Sequence, residues 1–371
     1  MAAIPKPMNT TSEAIVRWWD KQNDGPRPHL GASEIGKECK RALWYSFRWA
    51  SSKQFEGRLL RLFNRGHREE PQFLEELRSI GAEVYDRDPD TKQQHRFSGY
   101  KGHFGGSCDA IGRGFPEGPK SWAIVEFKTH GEKSFTELVK KKVQEAKPEH
   151  YAQMQIYMGW AELERALYLS VNKNTDELYS EWLHFDKALF DKLEAKAKQI
   201  IDSDEPLEKL HLDPAWYQCK FCDHHAICHG EKVPVKNCRT CVHATPIDLG
   251  KWVCNKYERE ISVDEQRLGC RAHLYIPPMI AWAEPLDAGT DWIKYRDRDS
   301  GLIFANVTED CDRSEENMSN DITLCVTSSE WHVTVRKMLN DHRLAEVKKQ
   351  FPDSRVVESH DFDIEEDDIP F

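Results

Sequence analysis

The chain has 371 residues, 39% of them apolar, a formal net charge of −11 and eleven cysteines. That length can bury a substantial core, and it predicts one main domain with an appendage. No apolar run of about 18 residues and no charged-then-apolar start occur, which argues against a spanning helix or a secretory signal and predicts a soluble cytoplasmic protein.

Net acidity speaks against a nucleic-acid partner only until its distribution is read. Residues 1–150 carry 26 Lys and Arg against 21 Asp and Glu. Lys40, Arg41, Arg48, Lys53, Arg58, Arg61, Arg65 and Arg68 share their stretch with one acid, Glu56. Such a run suits phosphates or, equally, a solvated helix face.

In chain order, TSEAIVRWWDKQN predicts a short helix capped by Thr or Ser. SEIGKECKRALWYSFRW predicts a second helix, with a Ser cap and an apolar stripe at Leu43, Trp44 and Phe47. FEGRLLRLFNRGHREEPQFLEELRSIG predicts more helix, interrupted near Gly66. AEVYDRD, HRFSGYKGHFGGSCDAIGRG and SWAIVEFKT then have strand composition, with turns at Gly and Pro. EHYAQMQIYMGWAELE returns to helix, ALYLSVNKNTDELYSEWLHFD predicts two strands, and KALFDKLEAKAKQIIDS another helix. Beyond a Cys-rich stretch, DWIKYRDRDSGLIFANV predicts a strand pair, followed by an acidic loop near Glu309 to Asp321 and a helix near Ser329 to Gln350.

Within SWAIVEFKT, Ile124, Val125 and Phe127 read as a buried strand, so Glu126 and Lys128, on one face by the two-residue period, need a reason to be there. A hairpin with the preceding GGSCDAIG brings Asp109 beside them. Two facing carboxylates are costly unless a divalent cation lies between them, and Mg²⁺ or Mn²⁺ prefers such oxygen ligands and attracts phosphate. Lys128 near that cation can orient and help deprotonate a water. Gly105 and Gly106 would let a nucleic-acid backbone come close. The bland alternative is a surface hairpin with a weak ion pair.

These residues resemble the PD-(D/E)xK nuclease superfamily, GGSCDAIG and IVEFKT standing for its two core motifs. Its upstream helical Gly-x-x-x-Glu matches Gly66 and Glu70 in GHREEP, and its RecB-like branch places a metal-binding His there, which His67 supplies, with Glu69 or Glu70 as alternatives. That branch also has a Gln-x-x-x-Tyr helix after the lysine, matched by Gln153 and Tyr157 one turn apart. The resemblance, over roughly residues 30–230, implies an α/β restriction-endonuclease-like core, a mixed sheet flanked by helices, with two-metal phosphodiester hydrolysis. Asp109, Glu126, His67 and the Phe127 carbonyl would hold Mg²⁺ or Mn²⁺, and Lys128 would activate water. Glu70 would orient waters of the second metal, while Gln153 and Tyr157 would position the strand or the lysine.

WYQCKFCDHHAIC puts Cys219, Cys222 and Cys228 around one centre, and in a reducing compartment close cysteines signal metal more often than disulfides. His224 or His225 can complete a zinc site, or Cys39 can join from far upstream. The latter resembles the iron-sulfur nucleases of the RecB-like branch, AddB-type and CRISPR-associated, and implies a [4Fe-4S] cluster on Cys39, Cys219, Cys222 and Cys228 that staples the domain's start to its end. A second set, Cys238, Cys241, Cys254 and Cys270, has spacings suited to a four-thiolate zinc site, with His243 and His273 as substitutes. Cys108, Cys311 and Cys325 have no sequence partners and are expected in packed structure.

The chain ends DFDIEEDDIPF, expected to be disordered. Asp367, Asp368, Ile369, Pro370 and Phe371 resemble the tip of bacterial single-stranded DNA-binding protein, whose Phe and carboxylate fit basic-rimmed apolar pockets. The expected domains are a helix and linker over 1–29, the iron-sulfur nuclease over 30–235, a zinc module over 236–285, a small α+β region over 286–350 and the tail over 351–371. The expected function is a metal-dependent exonuclease resecting linear double-stranded DNA ends, in phage-type recombination with a single-strand annealing protein. The alternatives are a CRISPR-adaptation end-trimming nuclease and a non-catalytic zinc adaptor.

Overall fold

A computed structural model describes residues 10–299 apart from 53, then 301 and 303–308, and the backbone of 324–327, 330–333 and 355–357. The chain divides into two compact units, one of Met1–Glu38 with Lys53–Gln199 and one of Cys39–Ser52 with Ile200–Phe371.

In the first unit, α1 (Thr11–Asp20) opens on a capping box: Glu13 N–H donates to the Thr10 hydroxyl and Thr10 N–H donates back to the Glu13 carboxylate at 2.9 Å. The chain then forms β1 (Leu30–Gly31) and a run of tight turns, with Glu34 and Lys37 N–H each reaching back three residues. Helix α2 (Lys40–Phe47), part of the second unit, therefore starts later than expected. Its cap is Cys39, whose sulfur accepts from Ala42 N–H at 3.4 Å, and not the serine.

Helix α3 (Gly57–Ser79) runs unbroken through Gly66 and Pro71, where a break near Gly66 was expected. Its stripe of Phe73, Leu74 and Leu77 is buried in the main core, and that burial outweighs the penalty of about 1 kcal/mol for a helical glycine.

The strands follow as β2 (Glu83–Tyr85), β3 (Arg96–Gly99), β4 (Phe104–Ser107), β5 (Ala110–Arg113) and β6 (Ala123–His130). After α4 (Glu132–Ala146) and α5 (Pro148–Ala161) come β7 (Arg165–Asn172), β8 (Leu178–His184) and α6 (Lys187–Asp202). The main sheet has the order β2-β5-β6-β7-β8 and is antiparallel except for the β6–β7 pair, so it is mixed. β1, β4 and β3 make a second, small sheet. Helix α4 was not anticipated from sequence, although Phe135, Leu138 and Val143 bury one side of it.

The period of two divides the faces of β6 and β7. Val125 and Phe127, with Leu167, Leu169 and Val171, pack in one cluster with α3. Glu126, Lys128 and His130 share the opposite face, where Tyr168 meets His150 of α5.

The second unit contains α2, the single turns α7 (Tyr217–Lys220) and α8 (His225–Cys228), a three-stranded sheet of β9 (Ala244–Pro246), β10 (Trp252–Cys254) and β11 (Arg259–Ile261), and α9 (Val263–Leu268). Trp44, Phe47 and Trp252 are buried here, and two buried arginines tie the short elements together. Arg48 donates to the carbonyls of Ala244 and Ser203 at 3.1 and 3.2 Å, and Arg239 to Phe47 O and Gln266 Oε1 at 3.0 and 2.9 Å. Both guanidinium groups stack on Trp252, at 5.0 and 4.6 Å. Burial lowers the pKa of Arg239 to about 8.

A six-stranded sheet follows, ordered as β12 (Ala283–Ala288), β13 (Trp292–Asp297), β14 (Ile303–Val307), β15 (Leu324–Thr327), β16 (Glu330–Val333) and β17 (Arg355–Val357). The expected strand pair is β13–β14, antiparallel. β12 runs through residues 285 and 286, where the cysteine module was expected to end. The helix expected from Ser329 does not start there: Glu330–Val333 pair instead with β15 and β17, as β-favouring Trp331 and Val333 allow. The rest of that helix, the acidic loop near Glu309 to Asp321 and the tail Asp361–Phe371 lie outside the described residues. No helix among the described residues is long and apolar enough to cross a membrane.

Candidate active site and cysteine pockets

The hairpin of β5 and β6 pairs Ala110 with Val125, and one step further along the same register Asp109 comes opposite Glu126. Asp109 Oδ2 accepts from Phe127 N–H at 2.7 Å, which pins that carboxylate against the strand carrying the other charges. Glu126 is 1% exposed, its Oε1 is ion-paired with the Lys128 ammonium, and its Oε2 is buried without a hydrogen-bond partner.

Burial and then the charge of Asp109 push the Glu126 carboxyl up to about 7, against the pull of Lys128. Burial also raises Asp109, with Lys128 pulling it down. Burial works against the Lys128 ammonium, yet Glu126 and Asp109 outweigh it and raise its pKa. The arrangement is a pair of desolvated, mutually repelling carboxylates held by one lysine. A second cation is the chemical complement of such a pair.

The other expected residues lie on α3 and α5. Glu70, on α3, is raised first by burial and also by the charge of Asp109, while its bond with His67 lowers it. His67 Nδ1 lies 2.9 Å from Glu70 Oε1, and the charge of His67 reaches Asp109. Gln153 Nε2 donates to the Tyr157 hydroxyl at 3.2 Å, and both side chains are buried. Burial raises the Tyr157 hydroxyl and the charge of Glu126 adds to it, so α5 presents this phenol to the carboxylates. Gly106 makes room for that phenol: a Cβ there would sit 2.6 Å from Tyr157 Oη and 3.1 Å from Ala32 Cβ. The glycine's close approach is therefore to the protein's own tyrosine, a role the sequence reading had given to nucleic acid.

Among the described residues, no group of three or more His, Cys, Asp or Glu side chains is drawn together as a single metal ion would hold it. At the centre, the cation ligands available together are thus the carboxylates of Asp109 and Glu126, along with backbone oxygen and water.

The structure adds groups that the motifs did not flag. The Tyr168 hydroxyl lies 2.7 Å from His130 Nε2 and 3.0 Å from His150 Nδ1, and Ser134 Oγ lies 3.2 Å from His130 Nδ1. His130 was within reach of the sequence argument, because the period of two that pairs Glu126 with Lys128 continues to it. His150 and Tyr168 carry no local signal.

Cys39, Cys219, Cys222 and Cys228 line one pocket of about 40 Å³ with Tyr45 and His224. Burial raises Cys222 and Cys228, and the thiolate charge of Cys39 adds to both. His224 is held away from a ligand role by Ser46 and Ser51, at 3.0 and 2.8 Å from its two ring nitrogens. Cys238, Cys241, Cys254 and Cys270 line another pocket of about 20 Å³ with His243 and His273. Burial pushes Cys238 up to about 11 and Cys241 up to about 12, and Cys270 adds to both. Cys108 is buried in the first unit, as expected. Cys311 and residues 367–371 lie outside the described residues, as does the side chain of Cys325.

No protein-family model matches the chain, and no curated protein matches it. Among solved structures it is similar to SSO0001, at 14% identity over 58% of this chain and 95% of that one, with a TM-score of 0.36. It is similar also to LHK-Exo, an alkaline exonuclease from Laribacter hongkongensis, at 15% identity over 50% and 90% of the two chains with a TM-score of 0.34. A complex of LHK-Exo with dAMP gives 15%, 50%, 89% and 0.33. Likeness at that level is too loose to carry a residue role or an activity across.

Proposed function

We propose that the chain is a divalent-cation-dependent nuclease that hydrolyses DNA phosphodiester bonds from linear double-stranded ends. The observation that carries this reading is the trio of half-buried Asp109 and Lys128 around buried Glu126, with one carboxylate oxygen of Glu126 left unpartnered. A structural ion pair needs one acid and one base. A second desolvated acid beside them costs stability and makes sense as a ligand.

Asp109, Glu126 and the carbonyl of Phe127 would hold Mg²⁺ or Mn²⁺, with His67 and Glu70 nearby for waters or a second ion. The bound ion supplies Lewis acidity toward a phosphoryl oxygen and a more acidic water. Lys128 donates hydrogen bonds that orient the attacking water. Neutralising Asp109 and Glu126 would remove the two charges that most raise the Lys128 pKa, so that burial would shift it toward the range of a base. Tyr157, braced by Gln153 and Gly106, fixes the position of the carboxylates or of a strand beside them.

Donor chemistry and shared pockets support metals for the eight cysteines, whose side chains are not drawn together around one point in the described structure. Cys39, Cys219, Cys222 and Cys228 would hold a [4Fe-4S] cluster, in the roomier pocket, and Cys238, Cys241, Cys254 and Cys270 would hold zinc. Neighbouring thiolates that raise one another's pKa are what a bound cation relieves. Asp367 to Phe371 would dock on a single-strand annealing protein, and deletion of those five residues should abolish capture of such a partner in a pull-down.

The test is digestion of end-labelled linear and closed circular DNA with Mg²⁺ by anaerobically purified protein, alongside iron and zinc analysis. Degradation of linear DNA alone by a brown protein is expected. A colourless zinc protein that cleaves neither substrate would overturn the nuclease reading in favour of an adaptor.

A further inference from the structure

A cleft of about 600 Å³ opens beside Lys128, and it contains far more space than the carboxylate centre needs. It lies at the carboxyl ends of β6 and β7, which pair in parallel up to His130 and Asn172. Open α/β sheets bind ligands at that end of parallel strands. The volume is in the range of pockets that hold a small molecule such as a nucleotide, roughly 300–1,000 Å³.

The charges lining this cleft are unbalanced. Glu70 is its single carboxylate among the described residues, and Lys128, Lys147 and Lys173 also line it. Lys128 is paired with Glu126, but neither Lys147 nor Lys173 has a carboxylate within ion-pair distance among the described residues. Both are half-buried, so their charge is screened less than at an open surface.

Each lysine is placed by backbone and not by chance side-chain reach. Lys173 follows β7 directly, its N–H donates to His130 O at 2.8 Å, and its carbonyl accepts from Arg65 of α3 at 3.2 Å. Lys147 is the junction between α4 and α5. Both lysines thus line one space, with Ser134 also lining it. After burial, the charge of Lys147 is the largest influence on His130, whose pKa falls to about 4, and Lys173 contributes to that fall. Leu62 and Phe63 also line the cleft and are 39% and 46% exposed, an apolar surface that a nucleoside can cover.

We propose that this cleft is a nucleotide subsite, in which Lys147 and Lys173 bind a phosphate group and Leu62 and Phe63 face the sugar or base. The inference rests on the nuclease reading for its biological meaning, since a terminal nucleotide of the cut strand or the released mononucleotide would occupy it. The two lysines are distinct from the catalytic set, although Lys128, His67 and Glu70 line the same cleft. Two cations that line one cleft without an acid of their own suit a phosphate oxygen cluster.

The test is calorimetric titration of the full chain with dTMP, thymidine and inorganic phosphate, without divalent cation. Wild type should bind dTMP more tightly than phosphate and show no measurable affinity for thymidine. The K147A/K173A double variant should bind dTMP at least about 10-fold more weakly, a change of about 1.4 kcal/mol. The K147R/K173R double variant should stay within about 3-fold of wild type, which separates charge from a folding defect. Unchanged binding in K147A/K173A, or wild-type protein that binds neither dTMP nor phosphate, would overturn the proposal. No cleavage enters this measurement, so a protein that binds dTMP through the lysines but never cuts DNA keeps the subsite and loses the nuclease reading. A protein that cuts DNA in a Lys128-dependent way but fails here keeps the nuclease reading and loses the subsite.

Discussion

The carboxylate centre and the cysteine pockets both concentrate like charge, but the fold prepares them differently. Asp109, Glu126 and Lys128 sit on neighbouring strands whose register is fixed by a sheet and by the Phe127 N–H bond to Asp109, so their spacing is set by backbone that forms for other reasons. The cysteines sit on single turns, a short sheet and a helix cap, drawn from residues 39 to 270, with two buried arginines tying those segments together. On the proposed metal assignments, the contrast separates a metal that is a tool from one that is part of the fold. A strand-borne site should survive without its ion, whereas a loop-borne one should not.

The largest effect expected from that contrast is on stability. Removing iron and zinc, or making C39S, should lower the melting temperature of the second unit by about 10 °C or more. Chelating Mg²⁺ should lower the first unit's melting by less, because its strands form without the ion. Calorimetry that resolves both units would break the comparison if the two losses were equal.

The next effect is a pH dependence with a definite sign. Glu126 has its pKa raised from 4.5 to about 7 in the folded protein, so the native state holds an extra proton between those values. Without divalent cation, this residue's contribution to stability is then lost as pH rises through that window, by about 3 kcal/mol at most. E126Q should lack this slope, and Mg²⁺ should restore stability at pH 8 in wild type but not in E126Q. Urea titrations at pH 4.5 and pH 8 check it.

G106A sharpens the comparison further, because its new Cβ would meet Tyr157 Oη at 2.6 Å. A cost of about 1–3 kcal/mol is expected, with a larger loss of cleavage than of fold as the phenol is displaced. Smallest is Q153A, which removes one hydrogen bond to Tyr157 and should cost about 1 kcal/mol.

What the sequence disclosed follows the same division. The strand alternation of Ile124, Val125 and Phe127 announced which face Glu126 and Lys128 would share, because a period of two is a local property. The hairpin that brings Asp109 alongside them was also readable, as was the mixed α/β order of elements. Helix α3 was misjudged at Gly66 because its buried stripe acts through the sheet, and no local propensity reports that. Lys147, Lys173, His150 and Tyr168 were invisible for the same reason: a helix junction, a strand end, a helix and a mid-strand position meet only after β6 and β7 pair. The gathering of Cys39 with three cysteines about 180 residues later came from resemblance, since no spacing rule spans such a loop.

The measurement that bears most directly on the account is the single-turnover rate of cleavage of a linear duplex at saturating Mg²⁺, wild type against K128A. The account predicts cleavage by wild type and a loss of about 10²- to 10⁴-fold in the variant, with its folding intact. Equal rates for the two proteins would contradict it.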